Sequence, residues 1–182
     1  MNIDNNKCKK FYFFIYKKIF IKTLYNMSRR RNAKKRFILQ DSIYNSILVS
    51  KIINRILLQG KKSLAQRIFY EVMLNIQQTT QQDPLEVLKK AIFNVTPVVE
   101  VKSKRIGGAT YQVPTEVTSD RGNTLALRFI IKSARKRPGK TIITKLGNEI
   151  LDAYNNVGNS VKKKEEIHKM AEANKAFSTL RF

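Results

Sequence analysis

The balance of charged residues is the feature that most constrains this chain. Lys and Arg number 36 against 13 Asp and Glu, which gives a formal net charge of +23 over 182 residues. Self-repulsion among so many cations disfavours a compact state, and a bound polyanion relieves it. Nucleic acid is the first candidate for that polyanion, and an anionic membrane surface is the second. Because 42% of the residues are apolar, the chain can still bury a core.

The surplus charge is concentrated at the N-terminal end. Residues 1–36 hold twelve Lys or Arg and one acid, Asp4. Residues 11–24, FYFFIYKKIFIKTL, are too short and too charged for a spanning helix, and they lack the unbroken apolar centre of a signal peptide. Two interpretations remain: an amphipathic targeting or membrane-surface segment, and a basic extension that contacts RNA or nothing. We favour the second. We therefore predict a basic, poorly ordered extension over residues 1–40 and a folded domain over residues 41–182.

The first half of that domain is predicted to be helical. Apolar residues recur at helical spacing over residues 41–57, where Asp41 or Ser42 caps the helix and Gly60 ends it. A second apolar stripe covers residues 64–76, and the polar residues 77–82 are expected to be the connection.

A third helix has a strong start signal. Asp83 is a suitable cap, Pro84 suits the first helical position, and Glu86 follows three residues after the cap. The helix is expected to run to about Asn94 and to stop before Pro97.

The pattern then changes to a β-hairpin at about residues 98–117. Two strand-like segments flank Gly107 and Gly108, and a two-residue glycine loop is a hairpin signal. A turn at these glycines places Arg105 opposite Thr110, Lys104 opposite Tyr111 and Lys102 opposite Val113. Since both faces then carry cations, neither face is expected to enter a core, and the hairpin is predicted to project as an arm.

Helical patterns return over residues 125–136, 142–154 and 160–177. The last of these has a weak apolar face and is expected to form the pairs Lys162–Glu166 and Glu165–Lys169. The predicted fold class is all-α: a bundle of six helices with one protruding β-hairpin arm and a basic N-terminal extension.

The sequence offers no constellation for catalysis. It lacks a dinucleotide fingerprint, a phosphate loop and a paired-histidine zinc motif. One cysteine, Cys8, and one histidine, His168, exclude a disulfide framework and a zinc site built from Cys and His within the chain. Residues 160–163 match SxxK, but the partner motifs are missing. We predict no catalytic residue, no metal and no cofactor.

Clusters of cations, one of them beside an aromatic ring, are the candidate RNA contacts. Lysine and arginine side chains neutralise phosphates and release counterions, and a ring can stack on an unpaired base. These candidates are Arg29, Arg30, Arg31, Lys34, Lys35, Arg36, Lys61, Lys62, Lys102, Lys104, Arg105, Tyr111, Arg135, Lys136, Arg137, Lys140, Lys162, Lys163 and Lys164.

Three long segments resemble one known family. VEVKSKRIGGATYQVP at residues 99–114, ARKRPGK at residues 134–140 and VKKKEEIHKMAEANKAF at residues 161–177 closely resemble the bacterial and organellar small-subunit ribosomal protein seven family. The resemblance covers roughly residues 27–182 in unbroken order. It implies six helices with a β-ribbon arm, in agreement with the fold predicted from the residue patterns.

The resemblance also implies a function. Members of this family are primary binders of the 3′ major domain of small-subunit rRNA and start assembly of the subunit head. Their arm and final helix lie near the exit-site tRNA and mRNA and near another small-subunit protein, ribosomal protein eleven, with no membrane partner. The implied arm residues are Lys102, Lys104, Arg105, Gly107, Gly108, Tyr111 and Gln112.

Several features are plastid-like. They are the Met-Ser-Arg-Arg start at Met27, the ARKRPGK segment and a composition rich in Asn, Ile and Lys. We expect a plastid, chloroplast-type ribosome, and otherwise a bacterial cytoplasm or another organelle. For a nuclear-encoded protein, residues 1–26 would be the transit segment, although they lack the usual Arg and Ser richness.

Two other functions were weighed. The alternative is a sequence-specific DNA-binding helical protein that uses a helical pair such as residues 41–76, but the polar face there lacks the clustered Arg and Asn of a recognition helix. An RNA-modifying enzyme is disfavoured because the sequence shows no reacting site.

Overall fold

The computed structural model of the chain describes residues 36–179. Residues 1–35 of the predicted N-terminal extension, with the candidate contacts from Arg29 to Lys35, lie outside the described residues. Only the last few positions of the extension, from Arg36 onward, are described. Backbone contacts divide the chain into two units, Met1–Phe37 and Ile38–Phe182. The fold described below is that of the second unit.

Six α-helices and one two-stranded antiparallel hairpin are present in the described part of the chain, as predicted. That part is therefore mostly helical rather than strictly all-α. The elements, in chain order, are α1 (Ile47–Ile56), α2 (Lys62–Thr80), α3 (Pro84–Val95), β1 (Val99–Ile106), β2 (Ala109–Glu116), α4 (Ser119–Lys136), α5 (Ile142–Tyr154), α6 (Asn159–Ala173) and a short 3-10 helix (Lys175–Thr179).

Helix α5 is the centre of the helical body. It packs against α2, α3, α4 and α6, and its apolar residues Leu146 and Ile150 are fully buried. Phe69 and Met73 from α2 and Leu88 from α3 are equally inaccessible to solvent. Burial of each such side chain contributes roughly 1.5–3 kcal/mol, so these helical stripes account for the body of the fold.

Helix α1 is shorter at both ends than the sequence predicts. The helix begins at Ile47, because the Asp41 carboxylate closes a separate turn by accepting hydrogen bonds from the backbone N–H groups of Ile43 and Tyr44, at 3.2 and 3.3 Å. Asp41 also accepts a hydrogen bond from the Tyr70 hydroxyl at 2.9 Å, and burial together with this bond raises the pKa of Tyr70 to about 12. The predicted C′ role of Gly60 was wrong, since the helix ends at Ile56.

The predicted connection at residues 77–82 was also wrong for most of its length. Helix α2 continues to Thr80, and Gln81 ends it in the left-handed region at φ 52°. Glutamine is a good helix former, and the Thr79 and Thr80 hydroxyls donate to the carbonyls four residues earlier at 2.8 Å. The sequence pattern of polar residues on an exposed helix face is therefore similar to that of a polar loop.

The start of α3 is confirmed. Asp83 is the N-cap residue, its Oδ1 accepts from the Leu85 N–H at 3.1 Å, and Pro84 occupies the first helical position. The helix ends at Val95, one residue from the predicted end.

The register of the hairpin is confirmed, with Arg105 opposite Thr110 and Lys104 opposite Tyr111. Gly107 and Gly108 have φ of 57° and 94°, which a tight two-residue hairpin turn requires and glycine adopts without steric cost. The main hydrophobic core of the described residues contains no residue of the hairpin, as expected, but one face of the hairpin is partly covered. Val113, opposite Lys102 in the middle of the strands, is 4% exposed, because β1 packs on α6 and β2 packs on the 3-10 helix.

Candidate nucleic-acid interface

A basic groove of about 390 Å³ lies between α1 and α4. Its α4 side is formed by cations spaced three or four residues apart, which places them on one face of the helix. The opposite face of α4, with Ala126 and Ile130, is buried in the core. The lining residues are Arg55, Arg128, Ile131, Lys132, Arg135 and Lys136.

Charge in this basic groove is of one sign. Among the described residues that line it, five are cations and none is acidic. All four α4 cations are exposed, and Arg55 is half-buried. Residues three or four apart on one helix face have Cβ atoms roughly 5–6 Å apart, within the screening length of about 10 Å, so the α4 cations repel one another in the free protein. A phosphate chain in the groove would remove that repulsion, so the groove suits a polyanion.

Arg135 joins the two walls of the basic groove. Its Nη2 donates a hydrogen bond of 3.2 Å to the main-chain carbonyl of Ile56, the last residue of α1. This bond satisfies one of the carbonyls that a helix end leaves unpaired. It also fixes the position of the guanidinium, which lines the groove.

The sequence prediction found only part of this groove. It named Arg135 and Lys136, but it missed Arg55, Arg128 and Lys132. The spacing of Arg128, Lys132 and Arg135 along one helix face was available as a signal. The position of Arg55 was not, since it depends on how α1 packs against α4.

The predicted arm residues lie along the outer part of the hairpin. Lys104, Arg105 and Gln112 are exposed, as are Gly107 and Gly108 at the tip. Exposed cations next to a tight turn can follow an irregular phosphate path.

Two other arm residues already have partners. The Lys102 ammonium lies 3.1 Å from Glu100 Oε1. Tyr111, predicted as a ring free to stack, is half-buried and rests on Phe177 of the 3-10 helix, with ring centroids 5.4 Å apart. Part of the ring is therefore covered within the protein.

A second groove, of about 540 Å³, lies beneath the hairpin and against α6. Its charge is mixed, since Lys104 and Lys175 face it together with Glu116 and Glu172. His168 also lines it, and the Nε2 atom of that ring accepts a hydrogen bond from the Val98 N–H at 3.2 Å. His168 thus joins α6 to the base of the hairpin.

The segment that follows α4 divides the predicted cations into two groups. Arg135, Lys136 and Lys140 are exposed, but the Arg137 side chain is only 21% exposed. The Arg137 guanidinium is paired with Glu149, at 2.9 Å, and with Asp152. Glu149 is fully buried and also accepts from the Ser160 N–H at 2.9 Å. Arg137 therefore stabilises the packing of α4, α5 and α6 where these helices meet.

The lysines of α6 are similarly divided. Lys162 is exposed, whereas Lys163 is paired with Glu166 at 2.9 Å and the Lys164 ammonium donates to the Asn94 carbonyl at 2.8 Å. The predicted pairs four residues apart were wrong, since the helix forms a pair three residues apart instead. Lys61 and Lys62, before and at the start of α2, are exposed.

Residues 36–179 contain neither a candidate metal site nor a helix that could span a membrane. No group of three or more His, Cys, Asp and Glu side chains there could hold a metal ion. Nor is any helix in the same range both long and apolar enough to cross a bilayer.

Comparisons of the sequence with family models and with known proteins all identify the same family. The family described as Ribosomal protein S7p/S5e matches residues 28–175. The small ribosomal subunit protein uS7c of Euglena gracilis is 65% identical over 156 residues, which are 86% of this chain and all of that relative. The uS7 protein of Microcystis aeruginosa is 58% identical and the uS7c protein of Ostreococcus tauri 56% identical, with the same coverage. The chain therefore belongs to the ribosomal protein S7 family, whose members are structural proteins rather than enzymes.

Proposed function

We propose that the protein is a structural constituent of the small ribosomal subunit of a plastid. In this proposal it binds the 3′ major domain of small-subunit rRNA as a primary binder and nucleates assembly of the subunit head. It lies near the exit-site tRNA and mRNA and contacts other small-subunit proteins, including ribosomal protein eleven. The observation that carries the proposal is the basic groove between α1 and α4, whose charged lining is entirely cationic.

Helix α4 would join two RNA-contacting regions at a fixed separation. Arg121, in its first turn, holds the hairpin through Glu100, and Arg135, in its last turn, lies in the basic groove. Fourteen residues of α-helix span about 21 Å. A rigid helix of that length would let the groove and the arm bind separate strands of one folded RNA, which a flexible basic tail cannot do.

Shape selectivity would follow from this arrangement. Contacts to phosphates carry no sequence information, so discrimination among RNAs must come from the path that the phosphates follow. An RNA junction whose strands reach both the basic groove and the arm can bind to both at the same time.

The plastid assignment has separate support. Relatives with the plastid-type name uS7c, from Euglena gracilis and Ostreococcus tauri, are 65% and 56% identical to this chain. The cyanobacterial uS7 protein of Microcystis aeruginosa is 58% identical. Sedimentation of the mature protein with small subunits from isolated plastids would test this assignment, and its recovery from another compartment would contradict it.

RNA binding is tested by competition. The full chain is titrated with a transcript of the 3′ major domain, an equally long transcript of the 5′ domain and a DNA duplex, at several salt concentrations. We expect the 3′ major domain to bind most tightly at every concentration. Equal affinity for the three, or tighter binding of the DNA duplex, would contradict the proposal.

The basic groove is tested by removing charge. In Arg128→Gln/Lys132→Gln, the dependence of log K on log salt should fall by about 1–2 units, because fewer counterions are released. The matched control Arg67→Gln/Lys89→Gln removes the same charge from exposed positions on α2 and α3. An equal change in the control would contradict a specific role for the groove.

A further inference from the structure

Glu100 is an acidic residue buried within a cationic hairpin. It is the second residue of β1 and is 7% exposed. Burying a carboxylate is costly unless charged hydrogen bonds compensate. Glu100 has them: Arg121 Nε lies 2.7 and 2.8 Å from its two oxygens, and Lys102 Nζ lies 3.1 Å from Oε1.

The Glu100–Arg121 pair joins the hairpin to the helical body. The other ion pairs among residues 36–179 lie within the hairpin or within the body. The pair lies close to the point where the hairpin leaves the body, since the Val117 N–H donates to the Val98 carbonyl at 3.0 Å there.

The start of α4 is itself held in place. Gly122 follows Arg121, and a Cβ atom at Gly122 would lie 2.8 Å from Cγ2 of Thr96, in the link between α3 and β1. Arg121 therefore lies on a part of the helical body that contacts the segment leading into the hairpin. Because Arg121 is held in this way, its ion pair with Glu100 can fix the direction of the hairpin as well as its attachment.

The hairpin is held near its base by the Glu100–Arg121 pair and nearer its tip by the Tyr111–Phe177 contact, so a change at the base is transmitted along the strands. From Glu100 to the turn, β1 extends about 20 Å at roughly 3.3 Å per residue. A change of about 10° at the base would move the tip by roughly 3–4 Å, which exceeds the length of a hydrogen bond between a cation and a phosphate oxygen, about 2.7–2.9 Å. Small errors in direction at Glu100 would therefore displace Lys104 and Arg105 from the phosphates that they contact.

We propose that Glu100 is a positioning residue: through Arg121 it sets the direction of the hairpin, and it thereby increases affinity for structured rRNA without contacting the RNA. This inference rests on the proposed RNA-binding function. It predicts that an acidic residue favours binding to a polyanion, the opposite of its direct electrostatic effect.

The sign of the effect separates positioning from simple electrostatics. Glu100→Gln raises the net charge by one, which by charge alone should tighten RNA binding. If Glu100 positions the hairpin, Glu100→Gln should bind the rRNA more weakly. The affinity falls by about fivefold to tenfold if the hairpin of the variant has the correct direction in only about 10–20% of the molecules. The matched control is Glu116→Gln, an exposed carboxylate on the opposite strand, which should bind equally well or more tightly.

The direction of the hairpin is measured in the free full-length protein, without RNA. Spin labels are placed at Thr110→Cys, near the tip, and at Asn148→Cys, exposed on α5, in a Cys8→Ser background. We expect a narrow distance distribution for the parent and for Glu116→Gln, and a broader or displaced one for Glu100→Gln. Arg121→Lys keeps the net charge but loses the planar guanidinium, and should broaden the distribution to a smaller extent.

Two results would overturn the proposal. One is an unchanged distance distribution in Glu100→Gln while far-UV circular dichroism shows the variant to be folded. The other is tighter RNA binding by that variant, as simple electrostatics predicts. If Glu100→Gln does not fold, Arg121→Lys decides: because its net charge is that of the parent, an unchanged distance distribution together with unchanged RNA affinity would overturn the proposal. Failure of the parent protein to prefer the rRNA would instead overturn the proposed function, and the distance measurement would still decide whether Glu100 positions the hairpin.

Discussion

The Nε atom of Arg137, in the residue that follows α4, lies 2.9 Å from Oε2 of Glu149 on α5. Glu149 is fully buried, so the guanidinium compensates a charge that water cannot reach. We expect Arg137→Gln to lower the free energy of unfolding by about 3 kcal/mol, because it leaves a buried carboxylate without its cation. Urea denaturation measures this loss. Lys140→Gln, in an exposed neighbour, should change stability by less than about 0.5 kcal/mol, and equal effects of the two would contradict the assignment.

Arg135 should contribute separately to stability and to RNA binding. Arg135→Lys keeps the positive charge in the basic groove but loses the guanidinium that donates to the Ile56 carbonyl. We expect a loss of about 1 kcal/mol in unfolding free energy, as for one hydrogen bond, while the salt dependence of rRNA binding stays unchanged. A changed salt dependence would show that the guanidinium geometry itself contributes to RNA binding.

Gly122 should not tolerate a side chain. Replacing a helical glycine by alanine normally stabilises a helix by about 1 kcal/mol, but here the new Cβ would meet Thr96 Cγ2 at 2.8 Å. We expect Gly122→Ala to cost about 1–3 kcal/mol through this clash. Thr96→Ser removes the methyl group and keeps the hydroxyl that donates to the Ile92 carbonyl, so the double variant should recover most of the loss. Additive losses in thermal denaturation would contradict the contact.

The Glu100 pair should make stability depend on pH in the acid range. The hydrogen bond from Arg121 lowers the pKa of Glu100 below its ordinary value of 4.5, and the bond from Lys102 adds to this. A carboxyl with a lowered pKa in the folded state contributes stability that is fully present above the ordinary value. That contribution is lost as the pH falls through the lower, folded pKa. The difference in unfolding free energy between the parent and Glu100→Gln should therefore shrink below about pH 4.5, and a constant difference would contradict this account.

The sequence patterns were most informative where the structure is determined locally. Asp83 and Pro84 predict the start of α3 because capping involves atoms only a few residues apart. Gly107 and Gly108 predict the hairpin register because a two-residue loop fixes which residues face each other. The end of α2 was missed because polar residues on an exposed helix face do not differ in pattern from a polar loop.

The candidate site depends on contacts between residues distant in sequence. Arg55 and Arg128 meet because α1 packs on α4, and no periodicity in either helix predicts that. Arg137 was grouped with its cationic neighbours, and its partners Glu149 and Asp152 come from a different helix. Charge composition therefore predicted that the chain binds a polyanion, but only tertiary packing shows which cations are free to do so.

The contact between Tyr111 and Phe177 makes the 3-10 helix a support for the hairpin. A protease that cut after Ala173 would leave all six helices of the described range whole, yet it would remove the ring on which Tyr111 rests. Such a trimmed protein would pass ordinary tests of helix content while carrying a hairpin whose Tyr111 ring has lost its aromatic neighbour. Intactness of the final residues, rather than helicity, is thus the property to verify in any purified sample.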